Sequence, residues 1–338
     1  MNRMVMLVTW SGDVSGIVPA MQELLEARGV RALRFDTDAF PTEQQVRFVH
    51  DGATEALQVR DGEVWRTLAP DDAIWYRRAR WAGKLPATMD RQLRHGCTVE
   101  SEAFLRGVMA AAPCFVMDPP EAVRENGHKP YQLSLARRLG LATPRTLATN
   151  DPAAAHAFIR ACPHGAVAKM LSAFPVYDEQ GEEQVVFTTA LAEDHLGKLE
   201  GLRYAPMVFQ ERLQKALELR VTVVGRRIFA AAVDSQRQPG AEVDWRERGV
   251  SLLRSWVPYD LPAETERRLS EYMERIGMQY SAIDMVVEPD GRHVFLEANP
   301  AGECYWLQYN SPHFPLAQAL VDVLVDEPGA RRASRRVG

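Results

Sequence analysis

The stretch that most restricts the fold of this 338-residue chain lies near its C-terminal end, at residues 280–299. Two apolar runs flank the sequence EPDG at 288–291, a pattern typical of a β-hairpin. If the Asp-Gly pair forms a two-residue turn, Asp284 lies opposite Glu297, with Cβ atoms about 4.5–5.5 Å apart. Asn299 falls on the same face because side chains alternate along a strand. The pattern therefore predicts that two carboxylates and an amide oxygen converge.

These three side chains are candidate metal ligands. Like charges that lie directly opposite on a strand pair repel each other unless a cation lies between them. A set of oxygen ligands suits a hard ion, so Asp284, Glu297 and Asn299 favour Mg²⁺ over zinc or copper. The alternative is a solvated acidic edge of the hairpin, because Pro289 could shift the pairing register.

Length and charge narrow the class of protein. The chain is long enough for two or three packed domains of ordinary size. Its net charge of −5 argues against non-specific binding of nucleic acid, and no apolar run reaches membrane-spanning length. The four cysteines are scattered without a C-x-x-C pair, which is typical of reduced thiols in a cytoplasmic protein. We therefore expect neither nucleic acid nor a membrane as a partner, and the sequence leaves open whether the chain forms a homodimer.

The N-terminal part of the chain has the pattern of an α/β domain. An apolar strand at 4–10, a glycine-containing loop, a helix and a second strand at 30–35 predict a βαβ unit and a parallel sheet. The loop lacks G-x-G-x-x-G spacing and no Walker lysine follows it, so an ordinary strand-to-helix turn is favoured over a nucleotide site. Short strands are predicted over 46–68.

Clustered or inward-facing cations are candidate contacts for anions. Arg77 and Arg78 end an apolar strand and suit a carboxylate or a phosphate, although a solvated charge cluster has the same pattern. Lys129 stands at the start of a predicted helix, where an ordinary surface lysine is also common. Lys169 lies inside an apolar strand. An inward lysine there needs an anionic partner, whereas a lysine on an edge strand faces water.

The order of these features resembles that of ATP-grasp ligases over about residues 119–310, and 1–118 resembles the α/β domain that precedes them. Within that family the chain is similar to the microviridin-type ligases, also called graspetide synthetases. The similarity is carried by five motifs: IWYRR at 74–78, NGHKPYQL at 126–133, ELRVTVVG at 218–225, VDWR at 243–246 and FLEANPAG at 295–302. The sequence departs from the usual pattern at Gly127-His128, ahead of the first lysine, and at Glu303-Cys304, where a Gln-Trp pair is more familiar.

The resemblance implies an α/β protein with the ATP-grasp fold. An N-terminal α/β pre-ATP-grasp domain would span 1–118. The central and C-terminal α+β subdomains, which clasp ATP, would span 119–206 and 207–326. Residues 327–338, rich in arginine, would form a disordered tail.

The resemblance also implies how ATP and Mg²⁺ are held. Lys129 and Lys169 would contact the phosphates, and Glu218 would reach the ribose. Backbone groups of a four-residue linker would bind the adenine ring, and this linker consists of Gln210, Glu211, Arg212 and Leu213. The Mg²⁺ ligands would be Asp284, Glu297 and Asn299.

Catalytic and substrate roles follow from the same resemblance. Arg220, together with Lys169, would stabilise the transferred phosphoryl group and the acyl phosphate that results. The residues expected to hold the substrate are Arg77, Arg78, Asp244 and Arg246. The 172–200 segment is a candidate for holding a leader peptide.

Such a ligase would activate Asp or Glu side-chain carboxylates of a ribosomal precursor peptide as acyl phosphates. It would then join them to Thr or Ser hydroxyls as esters, or to Lys amines as amides. Its cofactors would be ATP and Mg²⁺, and its partner a peptide with a leader and an acidic, Thr/Ser-rich core. Two alternatives stay open: an ATP-grasp ligase that adds an amino acid or other amine to a protein tail or small carboxylate, and a nucleotide-binding sensor without chemistry.

Overall fold

The computed structural model describes residues 3–172, 176–177, 180, 183–184 and 187–326. The tail expected at 327–338 lies outside these residues, as do parts of the 172–200 segment. The α-helices in the described part of the chain are Ile17–Ala27, Arg91–Ala110, Pro120–Asn126, Lys129–Arg138, Pro152–Arg160, Glu193–Leu196, Gly249–Leu252, Ala263–Ile276, Tyr305–Asn310 and Leu316–Val325. None of these helices combines the length and the apolar composition that a membrane crossing requires.

The N-terminal residues form the predicted βαβ unit. Strands Met4–Thr9 and Arg31–Asp36 pair in parallel, and helix Ile17–Ala27 connects them. Strands Ala73–Tyr76 and Phe115–Met117 extend the sheet in parallel on its other side. All six residues of the first strand are buried, which is typical of an inner strand of a parallel sheet with both faces covered.

The short strands predicted over 46–68 form a separate antiparallel sheet of Val46–His50, Glu55–Asp61 and Val64–Thr67. Its two turns contain Gly52 and Gly62, whose φ angles are 88° and 59°. Glycine adopts this left-handed conformation without the steric cost of a Cβ atom. The local sequence therefore specifies both turns.

The central unit contains a four-stranded antiparallel sheet. Its strands run in the order Thr189–Ala190, Ala166–Lys169, Met207–Glu211 and Thr146–Thr149. Helix Pro152–Arg160 packs on this sheet, and Asp151 caps the helix by accepting two hydrogen bonds from N–H groups of its first turn. Strand pairing places Met207–Glu211 in this sheet, whereas the division expected from the sequence begins the C-terminal unit at residue 207. The division itself stays a prediction.

The C-terminal unit contains a five-stranded antiparallel sheet. Its strands run in the order Val257–Pro258, Arg227–Val233, Leu217–Val224, Tyr280–Val287 and His293–Asn299. Helix Ala263–Ile276 covers one face with residues at helical spacing, as predicted: Leu269, Tyr272, Met273 and Ile276. The helix ends at Gly277, which has a φ of 67° and so takes the left-handed position that glycine favours there.

The opposite face of the C-terminal sheet shares a hydrophobic core with the N-terminal unit. Leu7 and Met21 pack in the same buried cluster as Val233 and Ala282. Helix Leu316–Val325 contributes seven buried residues to this cluster and contacts both units. The two ends of the chain are therefore packed together, which fixes the N-terminal sheet against the strands that carry the candidate site.

Candidate functional site

A cavity between the central and C-terminal sheets collects most of the candidate residues. Eleven of the fifteen candidates line it: Lys129, Lys169, Gln210, Glu211, Arg212, Leu213, Glu218, Asp244, Arg246, Asp284 and Glu297. The remaining four, which do not line it, are Arg77, Arg78, Arg220 and Asn299. The cavity therefore unites the expected phosphate, adenine, ribose and metal contacts, which the sequence places far apart along the chain.

The hairpin at the back of this cavity brings Asp284 opposite Glu297, as the sequence predicted, but its turn differs. The N–H of Glu288 donates to the carbonyl of Arg292, so the loop has three residues instead of two. The expected pairing of 289 with 292 fails because Pro289 has no N–H to donate. One extra residue on the second strand, skipped in the pairing, then restores the register at the two carboxylates.

That extra residue is Leu296, and it forms a β-bulge. A regular strand would send Leu296 and Glu297 to opposite faces of the sheet. In the bulged strand both side chains line the cavity. The bulge therefore aims the carboxylate of Glu297 while its neighbour supplies an apolar wall.

The three predicted oxygen ligands are in contact. The amide nitrogen of Asn299 lies 3.4 Å from a carboxylate oxygen of Asp284 and 3.4 Å from one of Glu297. Two cations balance the carboxylates: Arg220 donates to Asp284 at 2.7 Å, and Lys129 donates to Glu297. Asn299 thus stands between the two acids, where the alternation of the strand predicted it.

This donor set fits a hard divalent cation. Asp284, Glu297 and Asn299 offer carboxylate and amide oxygens only, without a sulfur or imidazole ligand that would favour zinc. Within the described ranges of the chain, no group of three or more His, Cys, Asp or Glu side chains gathers as a metal centre. The trio of two acids and one amide is therefore the candidate for Mg²⁺.

Two lysines approach the acidic pair from the central unit. Lys129 begins a helix, and Pro130 suits the first turn because no N–H is needed there. Lys169 makes no ion pair with any residue that the structure describes. Burial lowers the pKa of Lys169; Glu297 opposes this shift, and repulsion by Lys129 adds to it. The negative charge of an anionic ligand would offset both effects and favour the charged form of the lysine.

The same charges act on Glu297. Burial alone would raise its pKa, but the positive charges of Lys129 and Lys169 outweigh burial and lower the pKa to about 2. Glu297 is therefore ionised at neutral pH, as a metal ligand must be. Lys169 lines the same cavity as this carboxylate, so it faces inward, while its contact with a phosphate stays a prediction.

In the linker at 210–213, which overlaps the end of strand Met207–Glu211, the N–H of Leu213 is the main-chain donor left for a ligand. The N–H of Glu211 donates to Arg145 and that of Arg212 to Gly165. No carbonyl or side chain in the described part of the chain accepts the N–H of Leu213, which lines the cavity. This half-buried residue therefore has a main-chain donor available to an adenine ring.

Lys215 is a cavity residue that sequence reasoning missed. Its ammonium group donates to Glu218 at 3.0 Å and to the carbonyl oxygen of Val243 at 2.8 Å. Burial raises the pKa of Glu218, while Lys215 and Ser235 oppose this shift. The only signal in the sequence was that Lys215 precedes Glu218 by three residues. Lys215 lies in the loop before strand Leu217–Val224, and in a loop the spacing along the chain does not determine where a side chain points.

Replacing Lys215 with methionine is expected to raise the Kd for ADP by about tenfold, or about 1.4 kcal/mol. The substitution leaves Glu218 buried without a cation, so its carboxyl group takes up a proton and loses one of the acceptors expected to bind the ribose. Calorimetric titration with ADP measures the effect. Lys84→Met, which removes an exposed lysine outside the cavity, is the matched control. An unchanged Kd in Lys215→Met would contradict this role.

Asp244 and Arg246 form a loop contact at the edge of the cavity. The guanidinium of Arg246 donates twice to the carboxylate of Asp244, at 2.8 and 2.5 Å. The same carboxylate accepts a hydrogen bond from the N–H of Thr188 at 3.1 Å. Burial would raise the pKa of Asp244, but Arg246 lowers it to about 2. Asp244 therefore links a loop of the C-terminal unit to the central unit across the cavity, and it directs Arg246.

The other candidate arginines lie beside the cavity. Arg220 donates to Asp284 and, at 2.7 Å, to the main-chain oxygen of Glu303. Arg77 is only 5% exposed, and its guanidinium pairs with Asp13 and with the carboxylate of Glu303. The structure thus brings Arg220 to the acidic pair by contact, but it does not bring Arg77 into the cavity. The sequence identified Arg77 and Arg78 as adjacent cations, but it did not identify Asp13 and Glu303 as the partners of Arg77.

The chain resembles known proteins over its whole length. A family model described as the MvdD pre-ATP grasp domain matches residues 4–124. The macrocyclase MdnC from Microcystis aeruginosa MRC, solved with precursor peptide MdnA, is 42% identical, and the match covers 96% of this chain and 100% of that one, with a TM-score of 0.86. The macrocyclase MdnB from the same source is 32% identical over 96% of this chain and 100% of its own, with a TM-score of 0.78.

A third similar structure comes from another organism. The RiPP-associated ATP-grasp ligase of Chryseobacterium gregarium, solved with ADP and a leader and core peptide, is 31% identical. This match covers 100% of both chains and has a TM-score of 0.91. No curated protein matches the chain.

Proposed function

Since this chain belongs to the graspetide synthetases, the microviridin-type ATP-grasp ligases, we propose that it cyclises a ribosomally made precursor peptide with consumption of ATP. Its fold is the ATP-grasp fold, preceded by a pre-ATP-grasp domain. The observation that carries the proposal is the cavity, in which Asp284 and Glu297 face Lys129 and Lys169. Similar chains were solved with a precursor peptide, and with ADP, a leader and a core peptide.

The proposed reaction has two steps. An Asp or Glu carboxylate of the peptide attacks the γ-phosphorus of ATP, ADP leaves, and an acyl phosphate forms. A Thr or Ser hydroxyl, or a Lys amine, of the same peptide then attacks the acyl carbon, loses its proton and displaces phosphate. ATP is needed because neither nucleophile reacts readily with a free carboxylate. The cavity must exclude water from the acyl phosphate and hold the two side chains together.

The cavity residues divide this work. Lys129 and Lys169 bind the phosphates, the N–H of Leu213 binds the adenine ring, and Glu218 binds the ribose. Gln210 and Glu211 hold the adenine linker in place, since their side chains bond to Thr146 and to the N–H of Arg145. The Mg²⁺ ligands are Asp284, Glu297 and Asn299. When bound, Mg²⁺ offsets the charge that develops on the phosphates.

Arg220, Asp244 and Arg246 act next to the reacting groups. Arg220 neutralises and orients Asp284, and its charge stabilises the transferred phosphoryl group. Arg246 offers the peptide a guanidinium whose side chain is 49% exposed, while buried Asp244 fixes its direction. Arg78 is the exposed member of the Arg77-Arg78 pair and the one that can reach a peptide carboxylate.

Three further features belong to the proposal: the division into units, the location and the oligomeric state. The chain divides into units at 1–118, 119–206 and 207–326, with strand Met207–Glu211 pairing across the second boundary. Because the reaction consumes ATP, the enzyme acts in the cytoplasm, where ATP is supplied. A homodimer is compatible with these roles, since every proposed cavity residue comes from one chain.

Arg246→Ala is expected to leave the Kd for ADP unchanged within about twofold and to reduce peptide modification by about 10–100-fold. Arg246 serves the peptide in this proposal, whereas the lysines serve the nucleotide. Calorimetry with ADP and a rate assay with the precursor peptide separate the two effects. Arg267→Ala, on the exposed face of helix Ala263–Ile276, is the control. Loss of ADP binding in Arg246→Ala would refute the assignment to the substrate.

The proposed function is tested by the intact mass of an acidic precursor peptide encoded beside this chain. After incubation with the enzyme, ATP and Mg²⁺, we expect a loss of about 18 Da per ring, the mass of one water. An unchanged peptide mass with continued consumption of ATP would favour a ligase that adds a separate amine instead.

A further inference from the structure

A second cleft lies on the other side of the arginine cluster, between the loop that follows the first strand and helix Tyr305–Asn310. Its volume is about 520 Å³, within the range of ligand-binding clefts. Its walls include Trp10, Val14, Arg78, Leu253, Trp306 and Tyr309. None of the residues assigned to ATP or Mg²⁺ lines this second cleft, so the nucleotide does not explain it.

The walls of the second cleft expose large apolar side chains to solvent. Val14 is 93% exposed and Tyr309 is 81% exposed, on opposite sides of the cleft. Trp10, Leu253 and Trp306 extend the apolar surface between them. Exposed apolar side chains gathered around one cleft are typical of a site that binds another molecule.

The shape of the second cleft is fixed by two close approaches. Gly16 has a φ of 82°, and the ring of Tyr305 lies 3.0 Å from the position that a Cβ atom would take there. The ring of Trp10 occupies the space beside Gly12, and Arg80 stacks on it at 3.9 Å. The loop and the helix therefore meet at the base of the cleft and hold its walls apart.

One cation in the second cleft is available to a ligand. Glu303 is already neutralised by Arg77 and accepts hydrogen bonds from the N–H groups of Cys304 and Tyr305. Arg78 donates through Nε to the main-chain oxygen of Ala301 at 3.2 Å and lies 3.7 Å from Glu303, and its side chain is 45% exposed. Its charge can therefore bind a carboxylate from outside without breaking a buried pair.

The second cleft adjoins the nucleotide cavity. Trp245 lines the nucleotide cavity and Trp306 lines the second cleft, and their ring centroids are 5.4 Å apart. Arg220 spans the same boundary, since it bonds to Asp284 on one side and to the main chain of Glu303 on the other. A peptide seated in the second cleft would therefore lie next to the acidic pair.

We propose that this second cleft binds the core segment of the precursor peptide beside its reacting carboxylate. Arg78 binds a second core carboxylate, and Val14 and Tyr309 enclose a neighbouring apolar side chain. The proposal rests on the proposed function, and it adds the location and chemistry of the surface that presents the core to ATP.

Photocrosslinking tests the location without requiring catalysis. The full-length precursor, with a photoreactive phenylalanine analogue in its core, is irradiated with the intact enzyme and ADP, and the attachment sites are mapped by mass spectrometry. We expect attachment within 10–16 or 303–310, and a fall of at least about tenfold in yield for Arg78→Glu and for Val14→Ser with Tyr309→Ala. Val64→Ser, at a 54% exposed valine of the three-stranded sheet, is the matched control and keeps the yield.

The outcomes separate this proposal from the proposed function. Attachment outside both segments, no attachment, or equal yields in the cleft variants and the wild type would overturn the core-binding cleft. Equal loss of yield with a leader-only photoreactive peptide would also overturn it, because the cleft would then serve the leader. A peptide that crosslinks in the cleft but is never cyclised would support the cleft and refute the macrocyclase activity.

Discussion

Replacing Asp284 and Glu297 together with alanine is expected to lower the rate of peptide cyclisation by at least about a thousandfold. The two carboxylates face each other across one strand pair, and Asn299 bridges them at 3.4 Å to each. Without them, the proposed Mg²⁺ site has no charged ligand, and Lys129 and Arg220 lose the partners that direct them. The intact mass of the precursor peptide, followed over time with ATP and Mg²⁺, measures the rate.

Two further variants make this result interpretable. Asp284→Asn with Glu297→Gln keeps the size of both side chains and removes only their charge, so a folded but inactive protein is the expected outcome. Asp260→Ala with Glu266→Ala removes two exposed acids outside the cavity and is expected to retain the wild-type rate. Cyclisation at more than about a tenth of the wild-type rate in the amide variant would show that these acids do not hold an essential cation.

Replacing Arg77 with alanine is expected to destabilise the protein by about 3–5 kcal/mol. Arg77 is 5% exposed and pairs with two carboxylates, Asp13 of the N-terminal unit and Glu303 of the loop after the hairpin. Its removal leaves Asp13 buried without a cation. Urea denaturation measures the free energy of unfolding. Arg267→Ala removes an exposed arginine that also pairs with two acids, and it is expected to have little effect.

The destabilisation should depend on pH in a defined direction. Burial would raise the pKa of Asp13, but Arg77 lowers it from 3.8 to about 2. A lowered pKa stabilises the fold above the unfolded value, and this contribution disappears as the pH falls through the folded value. The difference between wild type and Arg77→Ala should therefore shrink as the pH falls from about 4 to about 2. A difference that stays constant over this interval would contradict the role of the Asp13 pair.

The sequence predicted which residues line the nucleotide cavity better than it predicted the geometry of the strands that carry them. Strand alternation and the opposing acids located Asp284, Glu297 and Asn299, because a period of two survives in any regular hairpin. The sequence did not reveal the bulge at Leu296, since one extra residue in a strand leaves no recognisable signature in the order of apolar and polar residues. The prediction of facing carboxylates held because the three-residue loop and the bulge each shift the register by one residue and offset each other.

Long-range partners were beyond the reach of the sequence. Arg77 and Arg78 were recognised as adjacent cations, but the contact between Arg77 and Glu303 joins residues 226 positions apart. Both arginines follow the strand that ends at Tyr76, and only the packing of the C-terminal loop decides which one is buried. The same applies to Lys215, whose partners Glu218 and Val243 become neighbours only when the loop at 242–246 folds over the cavity.

Helix Leu316–Val325 has a consequence for the timing of folding during synthesis. It packs in the same core as the first strand and helix Ile17–Ala27, so the N-terminal unit lacks part of its core until the ribosome has made this last helix. Translation at about 5–20 residues per second needs roughly 15–60 s to cover the intervening chain. During that interval the nascent N-terminal unit has an apolar helix face uncovered, which is the kind of surface that chaperones protect from aggregation, although it is the first unit to leave the ribosome.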